Sequence, residues 1–398
     1  MADIRSYRRE KAKIEQNRND YRTKIKRHKL KNVYRVLLVV VALLAVAVLV
    51  FVQYKLHVYT GYDTVSTVLL ENSAGAEDIR LHDSVLTYSK DGAHCTNTKG
   101  AVTWNQTYEI QDIIVKTCKN VSAIASYNGR EIYVQDTKKQ LGSISTTLPI
   151  KDIAVAANGN VTAVVADTDV TWINTYDCTG QLLFTGQAHM DESGYPVAIS
   201  LSPNGIILAV TYVYVDAGML KSNVVFYNFG PVGENMNDHV VGMYFYSDIL
   251  IPEIQFVDDE TAFAIGNDRI MIYKGNQTPT EKAGYLLNKE IQSVFYGDKR
   301  VGVVFVSDDT EHTYMMDVYD TSCKKVGTYY FDMDYTDIFF EEECFVIYNE
   351  NECHIMTYDG KDKFNGFFSK ACDLLFPAGG KFKYVLVTET SMDIIQLK

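Results

Sequence analysis

The apolar and polar positions of the 398-residue chain fall into three regimes. Val36 to Val52 is an unbroken apolar run of seventeen residues. As a helix it spans about 26 Å, just short of a hydrocarbon layer of about 30 Å. Tyr34 and Tyr54 flank it at headgroup level, and Arg35 and Lys55 extend its reach by snorkelling. Before it, Ile4, Tyr7, Lys11, Ile14, Arg18, Tyr21 and Ile25 recur three and four apart, the spacing of one helix face. Two of those seven positions are cationic, so the pattern predicts a basic tail of fluctuating helicity rather than a coiled coil. From Thr64 onward, short Val/Ile/Tyr/Phe/Thr runs are cut by Asn-Gly, Asp-Gly and Gly-Gly turns, which predicts strands only.

Those strands repeat. The unit is a β run, a glycine or polar turn, a second β run and an alternating third, plainest in Val197 to Thr211 and Ile153 to Val165. Starts near Ile79, Ile113, Ile153, Val197, Ile254, Ile291, Ile338 and Leu374 are about forty-two residues apart on average. That period with three or four strands per unit predicts propeller blades, since one small sheet cannot bury both of its faces alone. The fold expected is all-β, an eight-bladed propeller, or seven-bladed if one weak unit is misread. Leu374 to Leu397 holds only three strands, and Thr64 to Leu70 is available as the fourth that closes the ring. The organisation expected is a basic cytoplasmic leader (1–35), a transmembrane helix (36–54), a linker (55–63) and the propeller (64–398).

Charge sets the topology. Residues 1–35 carry thirteen Lys/Arg against four Asp/Glu, whereas residues 36–398 carry twenty-five against forty-six. Cytoplasmic flanks keep Lys and Arg, so the leader stays inside on the anionic leaflet and the propeller lies outside the cytoplasm. The run exceeds a signal-peptide core, and no small-residue cleavage site follows it. A net charge of −21 on the remainder excludes nucleic acid as a partner.

Ser202-Pro203-Asn204-Gly205 resembles the Ser-Pro-Asp-Gly turn of WD40-like and TolB-like propellers. Leu86-Thr-Tyr-Ser-Lys-Asp-Gly-Ala93, Val102-Thr-Trp-Asn-Gln-Thr-Tyr-Glu109, Gly194-Tyr-Pro, Ser200 to Gly205 and Val225-Phe-Tyr-Asn-Phe-Gly230 carry a broader likeness. Through them the chain resembles single-pass, propeller-bearing membrane proteins of clostridial Firmicutes, a family with a domain of unknown function. That resemblance implies an anchored extracytoplasmic propeller in a Gram-positive cell and no particular activity. Trp104 resembles the blade-docking tryptophan of quinoprotein-like propellers, without their cofactor-ligand pattern.

No catalytic motif stands out. Seven cysteines do not make a disulfide framework; a tight hairpin between Cys344 and Cys353 would place Cys344 opposite a residue near Thr357 instead, and most are expected as buried thiols. Histidines lack metal spacing, and Asp332-x-Asp334-x-x-Asp337 lacks the Gly and Glu of a calcium loop. These aspartates, like Glu341-Glu342-Glu343, read as solvated loop carboxylates. No metal, cofactor or catalytic residue is therefore assigned. The long crossing from Gly186 to Pro196 offers binding candidates His189, Asp191, Glu192 and Tyr195, joined by the insertion near Asp216 to Lys221. The expected function is a non-enzymatic, membrane-anchored scaffold or sensor that binds a protein of the cell envelope. The alternative is a hydrolase or lyase acting on cell-wall glycan, which needs paired carboxylates across a cleft.

Overall fold

A computed structural model describes residues 4–70, 75–167, 170–188 and 194–398. It divides into two compact units at residue 58. The first is a single helix, Ile4–Leu56, that holds the leader and the apolar run together. The leader is thus helical from Ile4 onward, not the fluctuating tail expected. Its Lys, Arg, Gln and Glu residues favour helix, and the apolar run continues its hydrogen-bond ladder without a fresh nucleation step. The helix is long and apolar enough to cross a membrane.

The second unit is a ring of eight four-stranded antiparallel sheets. We number the blades in chain order and letter their strands A to D from the axis outward. Blades 1 to 7 span 77–107, 113–145, 150–188, 195–246, 253–286, 291–331 and 337–367. Blade 8 takes A, B and C from Leu374–Pro377, Lys383–Val387 and Ser391–Leu397, and its D strand from Tyr62–Leu69. The count is eight, which sets the seven-bladed alternative aside, and the N-terminal strand closes the ring as expected.

Radial packing follows from alternation. Each inter-blade layer is a separate apolar cluster. One joins Val121, Ala123 and Val134 of blade 2 to Ile153, Val161 and Ala163 of blade 3. Another joins Val346 and Ile355 of blade 7 to Leu375, Tyr384 and Ile395 of blade 8. Trp104, on strand D of blade 1, is buried and donates its indole N–H to the Asp136 carbonyl of blade 2 at 2.6 Å, so it does dock neighbouring blades. Cys344 pairs with Thr357 and Cys353 with Tyr348, the register that keeps these two thiols apart. All seven cysteines are free, four of them buried.

The Ser-Pro-Asn-Gly turn has a structural task. Gly205 sits at φ +73°, and a Cβ there would come within 2.5 Å of Asn158, so the position needs glycine twice over. Asn158 donates to the Asn204 carbonyl at 3.1 Å, and the Asn204 N–H reaches Asp259 at 2.8 Å. The A–B turns of blades 3, 4 and 5 are therefore tied in series at one end of the ring.

Candidate functional site: the axial channel and the distal face

The polypeptide enters the ring at the end that carries the A–B and C–D turns, where Gly61 and Lys398 exchange backbone hydrogen bonds. We name this the entry face. The opposite, distal face carries the B–C turns and the inter-blade crossings. Among described loop residues, the distal face has fifteen Asp/Glu against four Lys/Arg, and the entry face twelve against nine. Most of the excess acidity of these loops is therefore at one end.

Of the four residues singled out in the 186–196 crossing, His189, Asp191 and Glu192 lie outside the described residues. Tyr195 is the first residue of strand A in blade 4. It lies near Tyr127 and Asp152, and burial raises its phenol pKa above the ordinary value. Next to it, Lys151 donates to Asn128 Oδ1 at 2.5 Å, with its ammonium 5.1 Å from the Tyr127 ring centroid. Lys116 of blade 2 faces Asp152 at 3.6 Å. Glu253, which opens blade 5, sits beside Tyr296 of blade 6, a half-buried ring whose hydroxyl is buried. Burial pushes its carboxyl pKa up, against the pull of Tyr296 and Lys116. Blades 2 to 6 thus build an aromatic and charged sector around the axis.

The other sector gathers on Arg80 of blade 1. Its Nε donates to the His82 carbonyl at 2.9 Å, and its guanidinium carbon is 5.8 Å from the Phe376 ring centroid. Burial lowers its pKa against the opposing charges of Asp298, Glu341, Asp337 and Asp83, yet its side chain stays open to water. Enclosure by protein together with access to water is the condition of a group lining an axial channel. Asp337, the first residue of strand A in blade 7, accepts the Ile338 N–H at 2.8 Å and pairs with Tyr348 across the ladder. Burial raises its pKa, partly offset by Ile338, Tyr348 and Arg80. Glu341, just past the same strand, is likewise raised by burial and faces Tyr384, with Arg80 opposing. Its Oε1 is buried and makes no hydrogen bond.

Asp337 and Glu341 are therefore not the solvated loop carboxylates read from sequence. Asp332 and Asp334 are exposed, but they too have protein partners. Asp332 accepts the Thr313 N–H at 2.8 Å and lies 3.1 Å from His312 Nδ1, and Asp334 accepts the Tyr314 hydroxyl at 2.9 Å. The sequence hides this convergence because Arg80, Asp298, Asp337 and Tyr384 sit on four different blades. A faint signal was present: Asp337-Ile-Phe-Phe340 and Glu253-Ile-Gln-Phe256 each open an inner strand with a carboxylate.

Among the described residues, no three His, Cys, Asp or Glu side chains form a group able to hold a metal ion.

The ring is an eight-bladed propeller with one end markedly acidic and a charged axial channel. Residues 55–397 match DUF5711, a family of unknown function, and the chain belongs to that family. No curated protein sequence matches it. Among solved structures it is similar to Sqt1 of Saccharomyces cerevisiae, at 11% identity over 86% of this chain and 99% of that one, with a TM-score of 0.51. It is also similar to BamB from Moraxella catarrhalis, at 11% identity over 85% and 100% of the two chains, with a TM-score of 0.49. At these identities the likeness concerns the fold alone.

Proposed function

We propose that this protein is a single-pass membrane protein whose propeller stands outside the cytoplasm as a non-enzymatic scaffold or sensor. Its partner is a protein of the cell envelope. The observation that carries the reading is the charge asymmetry between the two ends of the ring. The chain arrives at the nearly balanced entry face, and the acidic distal face presents eight B–C turns and the crossings between blades. Closed rings use such loop ends for recognition, because the blades leave no other groove. The basic leader supports an inside orientation for the N-terminus, in contact with anionic lipid. The 186–196 crossing, with His189, Asp191, Glu192 and Tyr195, belongs to the proposed binding end.

Cross-linking of the tagged full-length protein in its own cell, followed by mass spectrometry, tests this reading. A single dominant envelope protein is the expected product. Recovery of only the protein itself and wall fragments would overturn it. The alternative, a hydrolase or lyase on wall glycan, draws only on the raised carboxyl groups of Glu253, Asp337 and Glu341. It requires wall-glycan cleavage by the purified protein that disappears in Asp337→Asn or Glu341→Gln.

A further inference from the structure

The B and C strands of blade 4, Ile207–Asp216 and Met219–Asn228, are ten residues each, whereas those of the other blades are five to seven. Strand A of blade 4 makes its last pair at Tyr195 with Val213, and strand D at Ser222 with Tyr246. Three further rungs, Tyr214 with Lys221, Val215 with Leu220 and Asp216 with Met219, run on past both neighbours. They project about 10 Å. Ala217 at φ 50° and Gly218 at φ 78° close the tip as a two-residue turn whose left-handed residues match the twist of the strands. Lys221 Nζ and Asp216 Oδ2 bond across it at 2.6 Å. The projection is a finger whose two edges pair with no other strand among the described residues.

Its surface is apolar. Val215 is 69% exposed, Met219 57% and Leu220 55%, with Phe245 of strand D at 67%. Alternation puts Val215 and Leu220 on the side toward blade 5. There the Ile251 N–H bonds Ser222 Oγ at 3.1 Å and brings exposed Leu250 alongside. Met219 falls on the opposite side with exposed Met243 and Phe245, since Phe245 pairs with Asn223 and Met243 with Val225. Apolar side chains concentrated on a projecting element mark an interaction surface, not ordinary surface scatter.

The neighbouring charges define the occupant. The local cations are already engaged, Lys221 by Asp216 and Arg269 by Asp268 at 2.9 Å and Asp248 at 3.6 Å. Beside the finger, Asp216, Asp248 and Asp268 outnumber Lys221 and Arg269, and the distal face as a whole carries fifteen acidic loop residues against four basic ones among the described residues. An acidic partner or an anionic lipid surface is repelled, and a basic one is drawn in. We propose that the blade 4 finger is the docking site for a basic amphipathic segment of the partner protein, its apolar residues on the Val215 and Leu220 face beside Leu250 and its Lys/Arg toward the surrounding carboxylates. The proposal rests on the scaffold reading and names the surface and partner chemistry for it.

The test uses the detergent-solubilised full-length chain and two labelled eight-residue peptides, one alternating Lys with Val and one alternating Glu with Val. Binding is read by fluorescence anisotropy. Two variants are compared, Val215→Lys with Leu220→Lys, which changes exposed side chains only, and a chain in which 214–221 is replaced by Asn-Gly. The Lys peptide should bind the parent, weaken about tenfold or more in both variants, and weaken further with added salt. The Glu peptide should not bind. Equal binding of the Lys peptide to parent and variants, equal binding of both peptides, or no binding would overturn the proposal. Cellular cross-linking separates the two readings. A partner still captured by the Asn-Gly chain keeps the scaffold and removes the finger, whereas no partner for the parent removes the scaffold itself.

Discussion

Tyr62 pairs with Leu397, so the first strand of the propeller and the last close one sheet across 334 residues of intervening chain. The closure is more than a ladder: Val68 and Leu70 pack against a cluster of Val85, Phe376, Val385 and Val387 that spans blades 1 and 8. At the other end of the same strand, Asp63 and Lys398 form an ion pair.

Removing that strand should open the ring. A full-length chain lacking residues 62–69 leaves blade 8 with three strands and uncovers the cluster. It should lose about 3 kcal/mol or more of stability, from the lost apolar burial alone. Guanidinium unfolding followed by tyrosine fluorescence checks this. An unchanged midpoint would mean that the closure contributes nothing.

Stability and recognition should separate by position. Ile355, buried between blades 7 and 8, should cost about 2–5 kcal/mol as Ile355→Ala, by the loss of buried methyl groups and the cavity left behind. Leu220→Ser, on the exposed finger, should stay within about 0.5 kcal/mol of the parent. The same denaturation curves decide both.

The axial carboxyl groups make stability depend on pH in a definite direction. Asp337 and Glu341 hold their protons more tightly folded than unfolded. Stability therefore falls as pH rises from the ordinary carboxyl range through their raised values. Asp359, held down to about 2 by Lys361 and Thr357, acts oppositely, and its contribution is lost as pH falls from the ordinary range toward 2. Asp337→Asn should consequently stabilise the protein at pH 7 and have little effect at pH 3.5. Urea midpoints at the two pH values measure the difference; a larger gain at pH 3.5 would contradict the burial of this group.

Much of the fold was legible because it depends on local alternation. Ile113, Ile291 and Leu374 open their blades at the positions expected, and Ile79, Ile153, Val197, Ile254 and Ile338 fall within three residues of the observed starts. The placement of Cys344 near Thr357 followed from turn length, and the docking of Trp104 from its resemblance to the tryptophan of quinoprotein-like propellers. The channel was not legible, because nothing in the neighbourhood of Asp337 in the sequence says that Arg80, two blades away in the ring, faces it. The finger was half legible: an insertion at Asp216 to Lys221 was evident, but its projection appears only when the shorter strands A and D are laid beside it. The helical leader was underweighted because its seam carries Lys11 and Arg18, whereas helix propensity and continuity with the apolar run decide the outcome.

The proposed topology gives a labelling pattern. Gln16→Cys in the leader should resist a membrane-impermeant maleimide in intact cells and react after lysis. Leu220→Cys on the finger should react in intact cells. The native thiols are buried or half-buried, so their background is low. Reaction of both new cysteines in intact cells would contradict the inside placement of the leader.

The central claim is that one end of the ring recognises a partner. A photoreactive phenylalanine analogue placed at exposed Tyr127 on the distal face, or at exposed Val232 on the entry face, tests it in living cells. The account predicts one discrete cross-linked protein from position 127 and none from position 232. A product from position 232 alone, or the same product from both, would show that the acidic end is not the recognition surface.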